Sequence, residues 1–447
     1  MPRPFPSLSL LYPRKIMQAM GVERNLSLLV SKMSKGVMDV KKMLMVWLMC
    51  LLMINLIPVG SELKAAAGGF PDVTQGHWAK AAIDVAVAKG YFKGYADGNF
   101  KPNGTVTRAE FAALLARLSQ GKAVETGTAE NSFSDLSGHW SEAEVKRAVS
   151  LGFIQPSDYP NGFQPNAPIT RFEMAKWMTS GLGVADSDYK QALEDTKTTV
   201  IPVKEYFKPG IPKSKSSYIA VALGTKLMSG YPDGSFGLDK YATRAEASMM
   251  LLNLERVSGQ KPDQFLGLKE LRQVGIERTN LETISPFTTG NTSLNDVAEK
   301  TLTFRNQAGS LKLHHYIVVD TEDFKNIDSI YAPLFVDETD YNSRLDELGV
   351  YRAFIQITIY PKTKEFDLDH YMNGIRDGIV AGSRIINQSV MEKYGYLTLP
   401  HNEAKEFFNE HNNENGITLW VERFLDSETM GSQITTDDGS FAVMSNK

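Results

Sequence analysis

Three arginines recur in one setting: Thr107-Arg108-Ala109-Glu110, Thr170-Arg171-Phe172-Glu173 and Thr243-Arg244-Ala245-Glu246. A threonine followed three residues on by a glutamate is a capping box, in which two backbone donors left free by a helix start are satisfied. The arginine after the cap stands at the helix amino terminus, which favours anions. Its guanidinium can hold a carboxylate through two parallel hydrogen bonds. The bland use of the same residue is an ion pair with an aspartate of a neighbouring repeat. Elsewhere the chemistry is sparse. His77 and His139 each precede a tryptophan, but two separated histidines do not make a metal site. His314, His315, His370, His401 and His411 come later, without a His-Glu-x-x-His, a Gly-x-Ser-x-Gly or a phosphate-binding glycine loop. Asp320, Glu322, Asp323, Asp337 and Glu338 could supply a glycosidase pair, though a solvated acidic face accounts for them more simply. Asp337-Glu338-Thr339-Asp340 lacks the ligand spacing of a calcium loop. No metal and no cofactor is expected.

The arginines belong to longer repeats. The first runs through Phe70-Pro-Asp72, His77-Trp78 and Gly94-Tyr-Ala-Asp-Gly-Asn-Phe100 to Thr107. The second runs through Phe133-Ser-Asp135, His139-Trp140 and Asn161-Gly-Phe163 to Thr170. The third runs through Glu194-Asp195 and Gly230-Tyr-Pro-Asp-Gly-Ser-Phe236 to Thr243. Thr107 and Thr170 are 63 residues apart and Thr170 and Thr243 are 73 apart. An insertion in the third repeat is therefore expected, within residues 197–217, as a surface loop. Each repeat predicts helix, turn, helix. In the first helix Trp78, Ala81, Ala82, Val85 and Ala86 share a face. In the second helices Phe111, Leu114, Leu115 and Leu118, then Met174, Trp177 and Met178, then Met250, Leu251 and Leu254, keep helical spacing. The Asp-Gly-x-Phe tetrads are turn chemistry. No single repeat could bury its face alone, so the three should pack together.

With these motifs, residues 70–257 strongly resemble the S-layer homology family, three repeats in tandem at about 70–120, 131–183 and 193–257. The resemblance implies a three-lobed α-helical bundle that holds an exported protein noncovalently on a Gram-positive-type cell wall. It implies a secondary cell-wall polysaccharide, often ending in a pyruvylated sugar, bound in grooves between repeats. On that basis Arg108, Arg171 and Arg244 would grip the pyruvate carboxylate. Asp72, Asp135 and Asp195 would accept from sugar hydroxyls or orient the groove, and Gly94 and Gly230 would let backbone approach the ligand. Trp78 and Trp140 could wall a sugar face or pack in the core. Repeat two departs from the pattern at Phe172 and in its turn, Asp158-Tyr-Pro-Asn-Gly-Phe163. Repeat three has no tryptophan in its first helix, where counting back places Ser214, and its groove is the least secure of the three.

The remaining segments bound this assignment. Of 447 residues, 42% are apolar and 22% charged, ordinary globular composition that excludes disordered, collagen-like and coiled-coil classes. Lys41 and Lys42, the apolar run Met43–Ile57 and Ala65-Ala66-Ala67 read as a signal peptide, shorter than a membrane span. Translation would then begin near Met33 or Met38, with residues 1–32 an upstream extension. The one cysteine, Cys50, would leave with the signal. Residues 1–67 hold 9 Lys/Arg and 3 Asp/Glu of totals of 48 and 52, so the mature chain would carry a net charge of about −10. That acidity gives no support to nucleic-acid binding, and no membrane partner is expected after signal removal. Ser258–Pro262 reads as a linker. Beyond it, residues 263–447 predict a separate α+β domain. Its helices fall near Leu268–Val274, along Leu368, Tyr371, Met372, Ile375 and Ile379, and at Asn402–Asn409. Its strands fall at Leu311–Val319, Tyr351–Tyr360 and Ile417–Phe424. This domain is expected to be structural or surface-layer-associated, with self-association a further option; a glycan-active hydrolase or an adhesin is the alternative.

Overall fold

The computed structural model describes residues 69–119, 133–322, 327–336, 351–375, 388–400, 404–425 and 431–447. The expected signal segment, Cys50, Asp323, Asp337 to Asp340, Ile379 and His401 lie outside the described residues. Among the described residues no helix is long and apolar enough to cross a membrane.

The amino-terminal half is helical: α1 (Lys80–Ala88), α2 (Arg108–Leu118), α3 (Glu142–Ser150), α4 (Arg171–Ala185), α5 (Ser187–Asp195), α6 (Lys204–Phe207), α7 (Lys213–Gly224) and α8 (Arg244–Ser258). All three capping boxes form: Thr107, Thr170 and Thr243 accept from the backbone of Glu110, Glu173 and Glu246, whose side chains accept in return. The residue just before each box closes the repeats on one another. Val106 N–H donates to Ala242 O (3.0 Å), Ala242 N–H to Ile169 O (3.1 Å) and Ile169 N–H to Val106 O (2.9 Å), a ring of backbone bonds linking all three repeats. Val106, Ile169 and Ala242 are buried, so these bonds are shielded from water. Around them Phe111, Leu115, Met174, Trp177, Met178, Leu251 and Leu254 fill the shared core, as their helical spacing requires.

The first helix buries a different stripe from the one expected. Ala79, Ala82, Ile83 and Ala86 face the core, whereas Trp78 is 62% exposed and Val85 43%. The stripe 79, 82, 83, 86 has the spacing of one helical face; a tryptophan just ahead of it had drawn the pattern one residue off. The expected insertion is in part a surface loop: Lys208, Pro209, Gly210 and Pro212 are exposed, whereas Val200, Ile201 and Val203 are buried and α6 lies between them.

The carboxy-terminal half contains α9 (Leu266–Glu277), α10 (Leu281–Ile284), α11 (Ala332–Phe335), α12 (Leu368–Gly374), α13 (Gln388–Tyr394) and α14 (Ala404–His411). Its strands are β1 (Phe287–Thr288), β2 (Thr301–Thr303), β3 (Gly309–Asp320), β4 (Tyr351–Pro361), β5 (Ile417–Leu425), β6 (Gly431–Thr435) and β7 (Phe441–Asn446). They make two antiparallel sheets, ordered β2-β3-β4-β5 and β1-β7-β6. In β4, Ala353, Ile355, Ile357 and Ile359 point into one core, as their alternation predicts. In β3 the alternation is broken. A register shift between Leu313 and His315 inserts one residue, so Leu311 and Leu313 join that core while Ile317 and Val319 turn to the other side.

That other side is shared with the repeats. Residues 69–447 form one compact unit. Ile317, Val319, Phe354 and Trp420 of the sheet, with Tyr331, Phe335 and Tyr396, belong to the same continuous core as the repeat helices. Tyr331 Oη donates to Val200 O (3.0 Å), and the Phe207 and Tyr396 rings lie 5.3 Å apart. The expected linker is pinned as well. Tyr189 Oη donates to the carbonyls of Val257 and Gln260, and Lys261 Nζ reaches Asp186 (2.8 Å) and Asp188 (3.0 Å). Glycines let α9 lie on the repeats at backbone distance: a Cβ on Gly224 would stand 2.7 Å from Leu268 Cα, and one on Gly275 1.9 Å from Asp195 O.

Candidate functional site

Each repeat fixes its turn by one device. Asp72 accepts from the N–H of Phe100 (2.9 Å) and Lys101 (2.7 Å). Asp135 accepts from Phe163 (3.0 Å) and Gln164 (2.7 Å). In the third repeat the acid is Glu205, accepting from Phe236 (2.9 Å) and Gly237 (2.7 Å). Asp195 is not its counterpart. It lies ten positions upstream, at the end of α5, and holds Arg272 Nε at 2.8 Å. Asp72 and Asp135 thus orient the turn, with their carboxylates committed to backbone.

The same turn phenylalanine is gripped from its carbonyl side by an arginine of the preceding repeat in cyclic order. Arg108 Nη1 donates to Phe163 O (3.1 Å), Arg171 Nε to Phe236 O (3.0 Å) and Arg244 Nε to Phe100 O (2.8 Å). Each guanidinium lies over the turn tyrosine, at 5.0 Å from Tyr159, 4.6 Å from Tyr231 and 4.7 Å from Tyr95. Two also pair with the capping glutamate of the next repeat: Arg108 Nη2 with Glu173 (2.7 Å) and Arg171 Nη1 with Glu246 (2.8 Å). Neighbour pairing was the bland expectation, but the partners are glutamates, not aspartates. Arg244 differs. It donates to Phe100 O and Lys93 O and has no ion-pair partner among the described residues, while Glu110 nearby favours its charge and burial opposes it.

Two grooves result, each assembled from all three repeats. The first, about 960 Å³, combines Arg171 of repeat two, Ser229, Gly230 and Tyr231 of repeat three, and Trp78 of repeat one. The second, about 500 Å³, combines Arg244 of repeat three, Phe92, Lys93 and Glu110 of repeat one, and Trp140 of repeat two. Trp78 and Trp140, 62% and 57% exposed, are therefore groove walls and not core. Beside them, Nδ1 of His77 accepts from Ala79 N–H (3.1 Å) and Nδ1 of His139 from Ser141 N–H (3.3 Å), just ahead of the first helix of each repeat. Gly230 lines the first groove. Gly94 serves packing instead, since a Cβ there would meet Phe70 Cε1 at 2.3 Å. By the same cyclic rule a third groove would join Arg108 to the first helix of repeat three. That helix begins at Lys213, two to three residues earlier than its equivalents when counted back from the Thr-Arg box, and presents Lys215 and Tyr218 to Phe172 in place of a tryptophan. The missed contributors are Tyr95, Tyr159 and Tyr231; their recurrence beside the turn glycines was the available signal.

The arrangement suits an anionic ligand with a flat apolar face. A tryptophan offers area for a sugar ring, and an arginine at a helix start offers a carboxylate clamp. The second groove is lined by Arg244, Lys93 and Arg117 and by one carboxylate among the described residues, Glu110. In the carboxy-terminal region the histidines do not converge. His314 bonds Glu299 and Thr358, His315 bonds Gln356, and His370 bonds Asp367. Among the described residues no three metal-ligating side chains cluster.

Comparison with known proteins bears on the repeats. Residues 69–112, 132–175 and 209–248 match the S-layer homology domain model. Cell surface glycoprotein 1 of Acetivibrio thermocellus is 37% identical over 117 residues, 24% of this chain and 5% of that protein. The cellulosome-anchoring protein of the same organism is 36% identical over 112 residues, 23% of this chain and 24% of that protein. S-layer protein sap of Bacillus anthracis is 28% identical over 219 residues, 49% of this chain and 25% of that protein. The match thus spans a quarter or less of each of these relatives. The chain carries three S-layer homology domains in tandem, one for each Thr-Arg-x-Glu box.

Proposed function

We propose that this is an exported surface protein, anchored noncovalently to the cell wall by its three repeats. The relatives named for S-layers and for anchoring support the location. The repeats would form a three-lobed bundle around the ring of Val106, Ile169 and Ala242. Its first two grooves would bind an acidic secondary cell-wall polysaccharide, a pyruvylated sugar fitting both walls: ring face on Trp78 or Trp140, carboxylate at Arg171 or Arg244. The observation that carries this is the twofold recurrence of an exposed tryptophan and a buried arginine from different repeats on the wall of one groove, completed each time by residues of the remaining repeat. The carboxy-terminal region, sharing a core with repeat three, would be displayed in a fixed orientation, as a structural or surface-layer component requires. The test is co-sedimentation of residues 69–447 with purified walls before and after removal of the polysaccharide. Binding lost on stripping supports the proposal; binding retained on stripped walls refutes it.

A further inference from the structure

The turns whose tyrosines lie under Arg171 and Arg244 have the same geometry but different surroundings. In both, the tyrosine N–H donates across the turn, Tyr95 to Asn99 O (2.8 Å) and Tyr231 to Ser235 O (2.7 Å), and the glycine N–H returns to the tyrosine carbonyl. The glycines have φ of +82° at Gly98 and +83° at Gly234. A Cβ on Gly98 would meet nothing within 4 Å, whereas one on Gly234 would stand 3.1 Å from Tyr394 Cε1 and 3.1 Å from Lys393 Cε. Tyr394 is the last residue of α13, in the carboxy-terminal region, and is 2% exposed. The Gly234 carbonyl is also held, accepting from Lys204 N–H at 2.8 Å at the start of α6. The braced turn carries Tyr231, whose ring lies under Arg171 and whose Oη donates to Glu246 (3.0 Å). Its position therefore sets the tyrosine, the arginine and the glutamate of the first groove together.

We propose that α13 of the carboxy-terminal region is a positioning element for the first groove alone, Tyr394 bracing the turn 231–235 while the turn 95–99, whose Tyr95 lies under Arg244, has no such neighbour at Gly98. The inference rests on the first groove being a polymer site for its binding consequence, but not for its mechanical one. By linkage, polymer in the first groove must stabilise the docking of α13 as much as α13 favours polymer.

The experiment uses residues 69–447 with Tyr394→Leu, and Tyr394→Phe as the variant that keeps the ring. Amide hydrogen exchange reads the brace without ligand. Tyr394→Leu is expected to speed exchange at Tyr231 and Gly234 on the order of tenfold, leaving Tyr95, Gly98 and the core amides of Val106, Ile169 and Ala242 unchanged. Tyr394→Phe is expected to exchange as wild type. Equal rates at Tyr231 and Gly234 in wild type and Tyr394→Leu, or uniform acceleration including Val106, overturn the proposal. Binding of isolated wall polysaccharide then reads the consequence. With the second groove disabled by Trp140→Ala, Tyr394→Leu is expected to weaken binding on the order of fivefold; with the first disabled by Trp78→Ala, it is expected to change nothing. An equal loss in both backgrounds, or none in either, refutes the coupling. Wild-type protein that binds no polymer refutes the polysaccharide assignment and leaves the exchange result to judge the brace.

Discussion

Glu270 lies at the junction of the two halves, on α9, fully buried. Its carboxylate accepts from Asn280 Nδ2 (2.8 Å), Ser329 Oγ (2.8 Å) and Ile330 N–H (3.0 Å). Burial pushes its pKa up from 4.5 to about 7, although the three donors pull the other way and Asp328 adds to the rise. Between those values the folded state holds a proton that the unfolded chain has released. Its contribution to stability is therefore greatest at acid pH and falls as pH rises through 7. The slope is about 1.4 kcal/mol per pH unit, and the whole window is worth about 3 kcal/mol. Glu270→Gln cannot titrate. Relative to wild type, the variant is expected to gain about 3 kcal/mol of unfolding free energy between pH 4.5 and 8. Urea unfolding of residues 69–447 at several pH values measures this, the slope m reporting whether both proteins unfold as one unit. His315, whose burial lowers its pKa to about 4, gives the opposite slope below pH 6.5 in both proteins and cancels in the difference. A difference independent of pH would refute the account of Glu270 as a buried, proton-holding carboxylate.

Other substitutions follow from the turn device and the arginines. Glu205→Ala strands the N–H groups of Phe236 and Gly237 and is expected to cost about 2–4 kcal/mol in denaturant unfolding; a neutral result would return the third turn to some other acid. Arg171→Ala leaves the half-buried Glu246 without its ion-pair partner and the carbonyls of Ser229 and Phe236 unpaired. A loss of about 3–5 kcal/mol is expected, so weakened wall binding by this variant must be read against its melting temperature. Gly94→Ala drives a methyl into Phe70 and is expected to cost about 1–3 kcal/mol, seen as a lower melting temperature with no role for ligand.

The repeats were legible because their signals are local. A capping box is written in four residues, and all three formed where Thr107, Thr170 and Thr243 placed them. The second helices carry their core stripe openly. What escaped depends on partners distant in sequence. Glu205 does the work of Asp72 and Asp135 with a side chain one methylene longer, and only the turn it holds, 31 residues away, identifies it. Trp78 and Trp140 look like core residues because large aromatics usually are; that they wall grooves shows only in their exposure and in the residues of other repeats that line the same cavities. In β3 a single inserted residue exchanged the faces of the strand, which alternation alone does not reveal. Ser258–Pro262 reads as a linker by composition, and Tyr189 and Lys261 pin it through partners far away in sequence. A shared core cannot be read from either half separately.

The central claim is that two grooves, each walled by one exposed tryptophan, hold the wall polymer. Its most direct test is equilibrium binding of isolated secondary wall polysaccharide to residues 69–447 carrying Trp78→Ala, Trp140→Ala or both. Each single variant is expected to weaken binding, and the double variant to lose it by on the order of a hundredfold, with melting temperature unchanged because both side chains are exposed. A double variant that binds as tightly as wild type would contradict the account.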